Sequence, residues 1–186
     1  KECTIPAENK GKTEGAGEGA CPAGMVGVAD FCIDRFEATL VNRNTEEPWS
    51  PYCNPGSSIN NLKAVSLAGA VPQAYISEVN AEQACKNAGK HVCKQSEWLT
   101  ACQGDQQRKH PYGNEEVLGR CNYGRAHPPT SFFKTSDPNK WDLSDPRLNK
   151  NYALAVTGSF GQCSTAQGVF DMSHLTKFVA DIVKNQ

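Results

Sequence analysis

The sequence predicts an α+β fold that is poor in regular secondary structure, rich in loops and stapled by disulfides. Three observations carry this expectation. Nine cysteines are spread along 186 residues with no Cys-x-x-Cys spacing, which weighs against zinc ribbons and thioredoxin-type motifs and fits disulfides in an oxidising compartment. A short apolar hairpin is followed by two short helical stripes. From 105 to 150 the chain is polar, punctuated by proline and without periodicity.

The length suits one domain, or one domain with a tail, and can bury a real core. A net charge of −1 and a pI of about 6.5 argue against a nucleic-acid partner or an anionic membrane surface. No apolar run reaches the 18 or so residues a membrane span needs. A chain that starts at Lys1 is expected to follow removal of a signal peptide, and its localisation to be extracytoplasmic: periplasmic, cell-surface or secreted.

Residues 1–20 are dominated by Gly, Glu and Lys, with Ile5 the main apolar side chain. Such a stretch buries too little surface to offset its ordering entropy, so it is expected to be a flexible leader. It either tethers the domain, to a membrane or an assembly, or is simply a disordered end. The domain proper is expected over 21–186.

Met25, Val26 and Val28 form one predicted strand, Phe31, Ile33 and Phe36 the next, and Ala29-Asp30 the turn between them. Cys21 and Cys32 flank that turn and are the first expected disulfide. Residues 42–63, rich in Asn, Pro and Ser, read as a long loop. A helix is expected over 81–88, capped by Asn80 and stopped by Gly89, with Ala81, Ala84, Cys85 and Ala88 facing inward. A second is expected over 95–103, with Trp98, Leu99, Ala101 and Cys102 inward and Gly104 at its end. Val156–Phe160 and Gly168–Met172 read as short strands or turns. At the end of the chain Ser173 can cap an amphipathic helix whose stripe is Leu175, Phe178, Val179, Ile182 and Val183. That stripe, with the odd cysteine count, is the sequence reason to expect a protein partner. Eight paired cysteines alone allow about 105 connectivities; besides Cys21–Cys32, the expected pairs are Cys85–Cys93 and Cys102–Cys121.

An ordered ladder of short motifs runs through the chain. Asp34-Arg35-Phe36-Glu37-Ala38-Thr39 comes first, then Ala81–Cys85, then Gly89-Lys90-His91-Val92-Cys93-Lys94-Gln95-Ser96-Glu97-Trp98 with Ala101 behind it. Pro111-Tyr112-Gly113 and Gly168-Val169-Phe170-Asp171-Met172 complete it. In this order the motifs resemble those of the formylglycine-generating, sulfatase-modifying enzymes and their non-catalytic relatives, over roughly residues 21–183. The resemblance implies a C-type-lectin-like α+β fold. It also implies an extended segment where periodicity alone reads a terminal helix, and structural roles for Asp34, Arg35, Glu37, Glu97, Trp98, Gly113 and Asp171.

The chain departs from the family pattern at three places. Lys94 stands where the family has a helix-capping threonine, and an ammonium cannot accept a hydrogen bond. Ser173-His174-Leu175-Thr176-Lys177-Phe178 replaces a Gly-Asn-x-x-Glu-Trp stretch that helps hold calcium, and a lysine cannot bind a hard cation. The Arg-Gly-Gly-Ser segment and the copper-binding cysteine pair lie beyond the point at which this sequence ends. None of the nine cysteines matches that pair.

Each chemical candidate has a structural alternative beside it. Asp34, Arg35 and Glu37 read as acid/base groups or, better, as ion pairs pinning a strand. His91 and Cys93 could offer copper an imidazole and a thiolate, though a disulfide and an exposed imidazole explain them as well. His110 and His127 precede prolines in loops and show no partner. Asp137, Asn139, Asp142 and Asp145 supply spaced oxygens for a calcium ion but miss the EF-hand pattern, and turns before proline account for Asp137 and Asp145 as well. Trp49, Tyr52, Tyr112, Tyr123 and Trp141 lie in loops, as recognition surfaces or as plugs for a core short of regular structure.

The expectation that follows is a non-catalytic, extracytoplasmic binding or structural module, without cofactor and within a larger assembly. One alternative is a copper-dependent formylglycine-generating oxidase of which this chain is a piece. Another is a lectin-like module that uses calcium.

Overall fold

The computed structural model describes residues 3–123, 128–141, 154–172 and 182–185. It is a mixed α/β structure with two small antiparallel sheets and three disulfides.

Strands β1 (Met25–Val28) and β2 (Phe31–Asp34) form the expected hairpin, with Val28 opposite Phe31 and Met25 opposite Asp34, except that β2 stops before Phe36, which stacks on Phe170 instead. Cys21 and Cys32 close it, as their spacing suggested. Alternation along a strand gives β2 two working faces. Phe31 and Ile33 join Val26, Val28, Ala101, Cys102, Val169 and Met172 in one apolar cluster. Cys32 packs with Cys21 and Met25 in another, and Asp34 shares the Cys32 side of the strand. All four residues of β2 are buried, so both faces are covered.

Strands β3 (Ala38–Asn42) and β4 (Leu62–Ser66) make a second antiparallel pair. Leu40, Leu62 and Ala64 pack there against Ala84 and Cys85 of helix α1 (Glu78–Asn87), with Trp49 at the edge. Burying a side chain of this size contributes about 1.5–3 kcal/mol. The helix begins three residues before the position expected from Asn80. Ser77 is the cap, its hydroxyl accepting the Asn80 N–H at 3.3 Å, and exposed Val79 (75%) hides that start from any search for an apolar stripe.

Strand β5 (His91–Val92) and helix α2 (Gln95–Gln103) follow, and Gly104 (φ 59°) ends α2 as expected. A short helix α3 covers Pro128–Phe133. Strand β6 (Ile182–Asn185) lies between β2 and β5, giving the sheet order β1-β2-β6-β5. Ile33 and His91 are both opposite Val183. This corrects the terminal-helix reading for Ile182 and Val183, which fill a central strand rather than a free helical face. Leu175, Phe178 and Val179 lie outside the described residues.

The flexible leader is also corrected. Residues 3–20 run as a strap across the domain, with a 3-10 turn at Ala7–Asn9. Asn9 is 2% exposed. Its side-chain oxygen accepts the Val71 N–H at 2.8 Å, while its amide donates to the Val71 carbonyl at 3.0 Å and to Thr39 Oγ1 at 3.1 Å. Further on, the Gly24 N–H donates to the Gly15 carbonyl and the Glu18 N–H to the Met25 carbonyl. Disulfides anchor both ends, Cys3–Cys53 and Cys21–Cys32. The strap is held by polar contacts and covalent bonds instead of the apolar burial its composition lacks.

Two expected disulfides are not formed. Cys121 pairs with Cys163, so Cys102 has another role: on the inner face of α2 it donates its thiol hydrogen to the Met172 carbonyl at 3.3 Å. Cys85 is a buried thiol facing the β3–β4 cluster, not a partner of Cys93. Val156–Phe160 and Gly168–Met172 are turns and irregular chain; Phe170 forms an isolated bridge with Ser164, and Asp171 accepts the Gly158 N–H to join the two segments.

Candidate functional site

The densest concentration of charge in the interior surrounds Lys90, and the end of α1 explains how Lys90 comes to be there. Gly89 takes the left-handed conformation (φ 69°). The Gly89 N–H then donates to the Lys86 carbonyl at 3.0 Å and the Lys90 N–H to the Cys85 carbonyl at 2.9 Å. This is a Schellman motif, which satisfies the last carbonyls of the helix and reverses the chain. The reversal directs the Lys90 ammonium inward. It donates to Asp34 Oδ1 at 2.7 Å and to Glu14 Oε1 at 3.3 Å. Glu14 Oε1 also accepts the Ser66 N–H at 2.9 Å, so strap, hairpin, second sheet and α1 meet at one ammonium.

Two carboxylates face one cation here, and the Asp34 side chain has no exposed surface. Its Oδ2 has no hydrogen-bond partner. Burial is the main cause that lifts the Asp34 pKa from 3.8 to about 7, against the lowering pull of Lys90, with a smaller upward push from Glu14. The physical sense is charge balance. With all three groups ionised the cluster carries −1 in a poorly solvated space, and one proton on Asp34 neutralises it. Lys90 is held above its ordinary value by its two carboxylates, burial notwithstanding. Burial, then the negative charge of Asp34, push the nearby Cys85 thiol up to about 12, so it is no nucleophile. Asp34 has the proton affinity of an acid/base catalyst but no surface from which to reach a substrate.

The other ladder residues also turn toward the chain. Glu97 Oε2 accepts the Lys94 N–H at 2.7 Å, and both its oxygens lie 3.1 Å from His91 Nε2. These hydrogen bonds and the nearby charges of His91 and Lys94 hold the Glu97 pKa below its usual value, although desolvation, the largest single effect, opposes them. Only the Glu half of a capping box is therefore made, since Lys94 offers no side-chain acceptor. Trp98 packs against the hairpin cluster. Gly113 and His110 exchange both backbone hydrogen bonds. Asp171 Oδ2 accepts the Gly158 N–H at 2.7 Å. Arg35 pairs with Glu18 at 3.2 Å on the surface, and Glu37 is buried. The charged trio 34–37 thus separates: Asp34 goes inward to Lys90, Arg35 outward to the strap.

The calcium candidates are not assembled among the described residues. Asp137 Oδ1 accepts the Asn139 N–H at 3.1 Å, the Asx turn already expected as the alternative, and Asp142 and Asp145 lie outside the described residues. No group of three or more His, Cys, Asp or Glu side chains arranged to hold a metal occurs among them. Of the loop aromatics, Trp49 is a plug, donating from Nε1 to the Cys53 carbonyl at 3.1 Å. The Tyr112 ring is stacked by His110, with Arg120 above it at 4.8 Å. No described helix is long and apolar enough to cross a membrane.

Sequence reasoning missed Asn9, Glu14 and the inward role of Lys90. A glycine directly after a helical stripe, with lysine next, is the one signal that could have pointed to Lys90. No family model, curated protein or solved structure matches the chain.

Proposed function

We propose that this chain is a module of the formylglycine-generating-enzyme type, with a C-type-lectin-like fold, that performs no catalysis and acts as a binding or structural subunit. One observation supports the reading above the others: three charged side chains of the motif ladder, Lys90, Glu97 and Asp171, are engaged by the chain's own backbone and side chains. Lys90 serves Asp34 and Glu14, Glu97 serves Lys94 and His91, and Asp171 serves Gly158. A catalytic group must instead reach the proton or atom it acts on. Three disulfides suit an oxidising compartment, which supports an extracytoplasmic setting.

The test is an oxidation assay. The full chain is incubated with copper(I), oxygen and a Cys-x-Pro-x-Arg peptide, and the peptide is probed for an aldehyde by hydrazide capture and mass. No aldehyde above the metal-only control is expected. Turnover in the presence of the chain would replace this reading with that of an oxidase.

A further inference from the structure

Between the strap and the start of β3 lies a cleft of about 390 Å³. Four small residues leave it open: Gly15 and Ala16 on the strap, Gly24 before β1, and Ala68 after β4. Phe36 forms an apolar wall and is fixed in place by stacking on Phe170, with ring centroids 5.0 Å apart. A volume of this size is at the lower end of those that hold small molecules, and an apolar lining with a few directed polar groups is their usual composition.

The polar groups here are mostly donors. Lys12 lines the cleft, and its ammonium donates to the Ala68 carbonyl at 2.8 Å. Among the described residues it has no carboxylate partner, and an ammonium carries three donors. Arg35, also on the lining, gives one nitrogen to Glu18 and keeps the rest of its five donors. Ser66 accepts the Phe36 N–H and retains a hydroxyl hydrogen. The nearby carboxylates are already occupied: Glu18 by Arg35, and Glu14 Oε1 by Ser66 N–H and Lys90.

We propose that this cleft is a binding site for a small amphiphilic anion: a flat apolar body, aromatic for preference, bearing one carboxylate. The body lies against Phe36 in the space left by the small residues, and the carboxylate is held by Lys12 with help from Arg35. The strap thereby becomes one wall of a ligand site as well as a cover for the hairpin.

The probe is 1-naphthaleneacetate, titrated into the full chain and followed by amide chemical shifts, with the neutral 1-naphthaleneacetamide as comparator. Saturable shifts are expected at Gly15, Gly24, Phe36 and Ala68, with the amide binding about tenfold more weakly because the charge-assisted contact is lost. Lys12→Gln should weaken the acid about tenfold and leave the amide unchanged. Ala16→Phe should abolish binding of both while the melting temperature is retained. Equal affinity for acid and amide, indifference to Lys12→Gln, shifts centred elsewhere, or no saturable shift would each overturn the proposal.

Discussion

Asp34 and Lys90, 56 positions apart in the chain, meet at 2.7 Å with their side chains 0% and 6% exposed. Glu14 joins them from the strap. A buried pair of this kind is weak evidence for stability, because desolvation offsets most of the attraction. Its effect is to fix how four segments come together and to make that junction sensitive to protons.

The pH dependence follows directly. Asp34 titrates near 7 in the folded chain and near 3.8 when free. Between those values the folded state holds a proton that the unfolded state has lost, so stability falls as pH rises through the window and levels off above it. The melting temperature should be several degrees higher at pH 5 than at pH 8. In Asp34→Asn the carboxylate is gone and this dependence should flatten. Calorimetry on both proteins across pH 4.5–8.5 checks it; an equally steep profile in the variant would remove Asp34 as the cause.

Helix α2 starts with a lysine where an acceptor is needed. Lys94→Thr supplies a hydroxyl for the first-turn N–H groups while Glu97 keeps its bond to the residue-94 N–H. A gain of about 1 kcal/mol is expected from urea unfolding. Glu97→Ala should shift stability in the opposite direction.

The strap's hold can be measured at Asn9. Asn9→Ala leaves the Val71 N–H and carbonyl without their buried partner, at a cost of about 2–3 kcal/mol. Replacing both Cys3 and Cys53 by serine should cost about 4 kcal/mol if loop-closure entropy governs. Peptide mapping of the unreduced protein should return the Cys3–Cys53, Cys21–Cys32 and Cys121–Cys163 linkages, and any other pairing would contradict the fold.

Cys85 should resist alkylation. With its pKa pushed up to about 12, roughly one thiol in ten thousand is ionised at pH 8, and burial blocks access. Iodoacetamide should label it only in denaturant, read by mass spectrometry of the peptide that contains it.

How much of this was legible in the sequence differs from element to element. The hairpin at Met25–Asp34 was readable from two apolar runs flanked by Cys21 and Cys32, and helix α2 from an apolar stripe that ends at Gly104. The strap was not, since its order comes from the polar side chains of Asn9 and Glu14, which read as solvated surface, and from the Cys3–Cys53 disulfide, whose pairing the sequence does not reveal. Ile182 and Val183 fit a helical stripe by spacing alone, yet four residues hydrogen-bonded between β2 and β5 are a strand whatever their period. Cys102 was expected to pair with Cys121, while the inward face of α2 directs it to Met172. Within the site, the ladder marked Asp34 and Glu97, but it could not show that Asp34 meets Lys90 and, through it, Glu14, or that Glu97 turns back to Lys94 and His91.

The two disulfides that pin the strap have one more consequence. Because Cys3 is bonded to Cys53 and Cys21 to Cys32, the chain between them is a covalent handle attached at both ends. A protease that nicks it anywhere from 4 to 20 frees no piece of that handle: the cut protein would migrate intact on a gel and separate only when reductant is added.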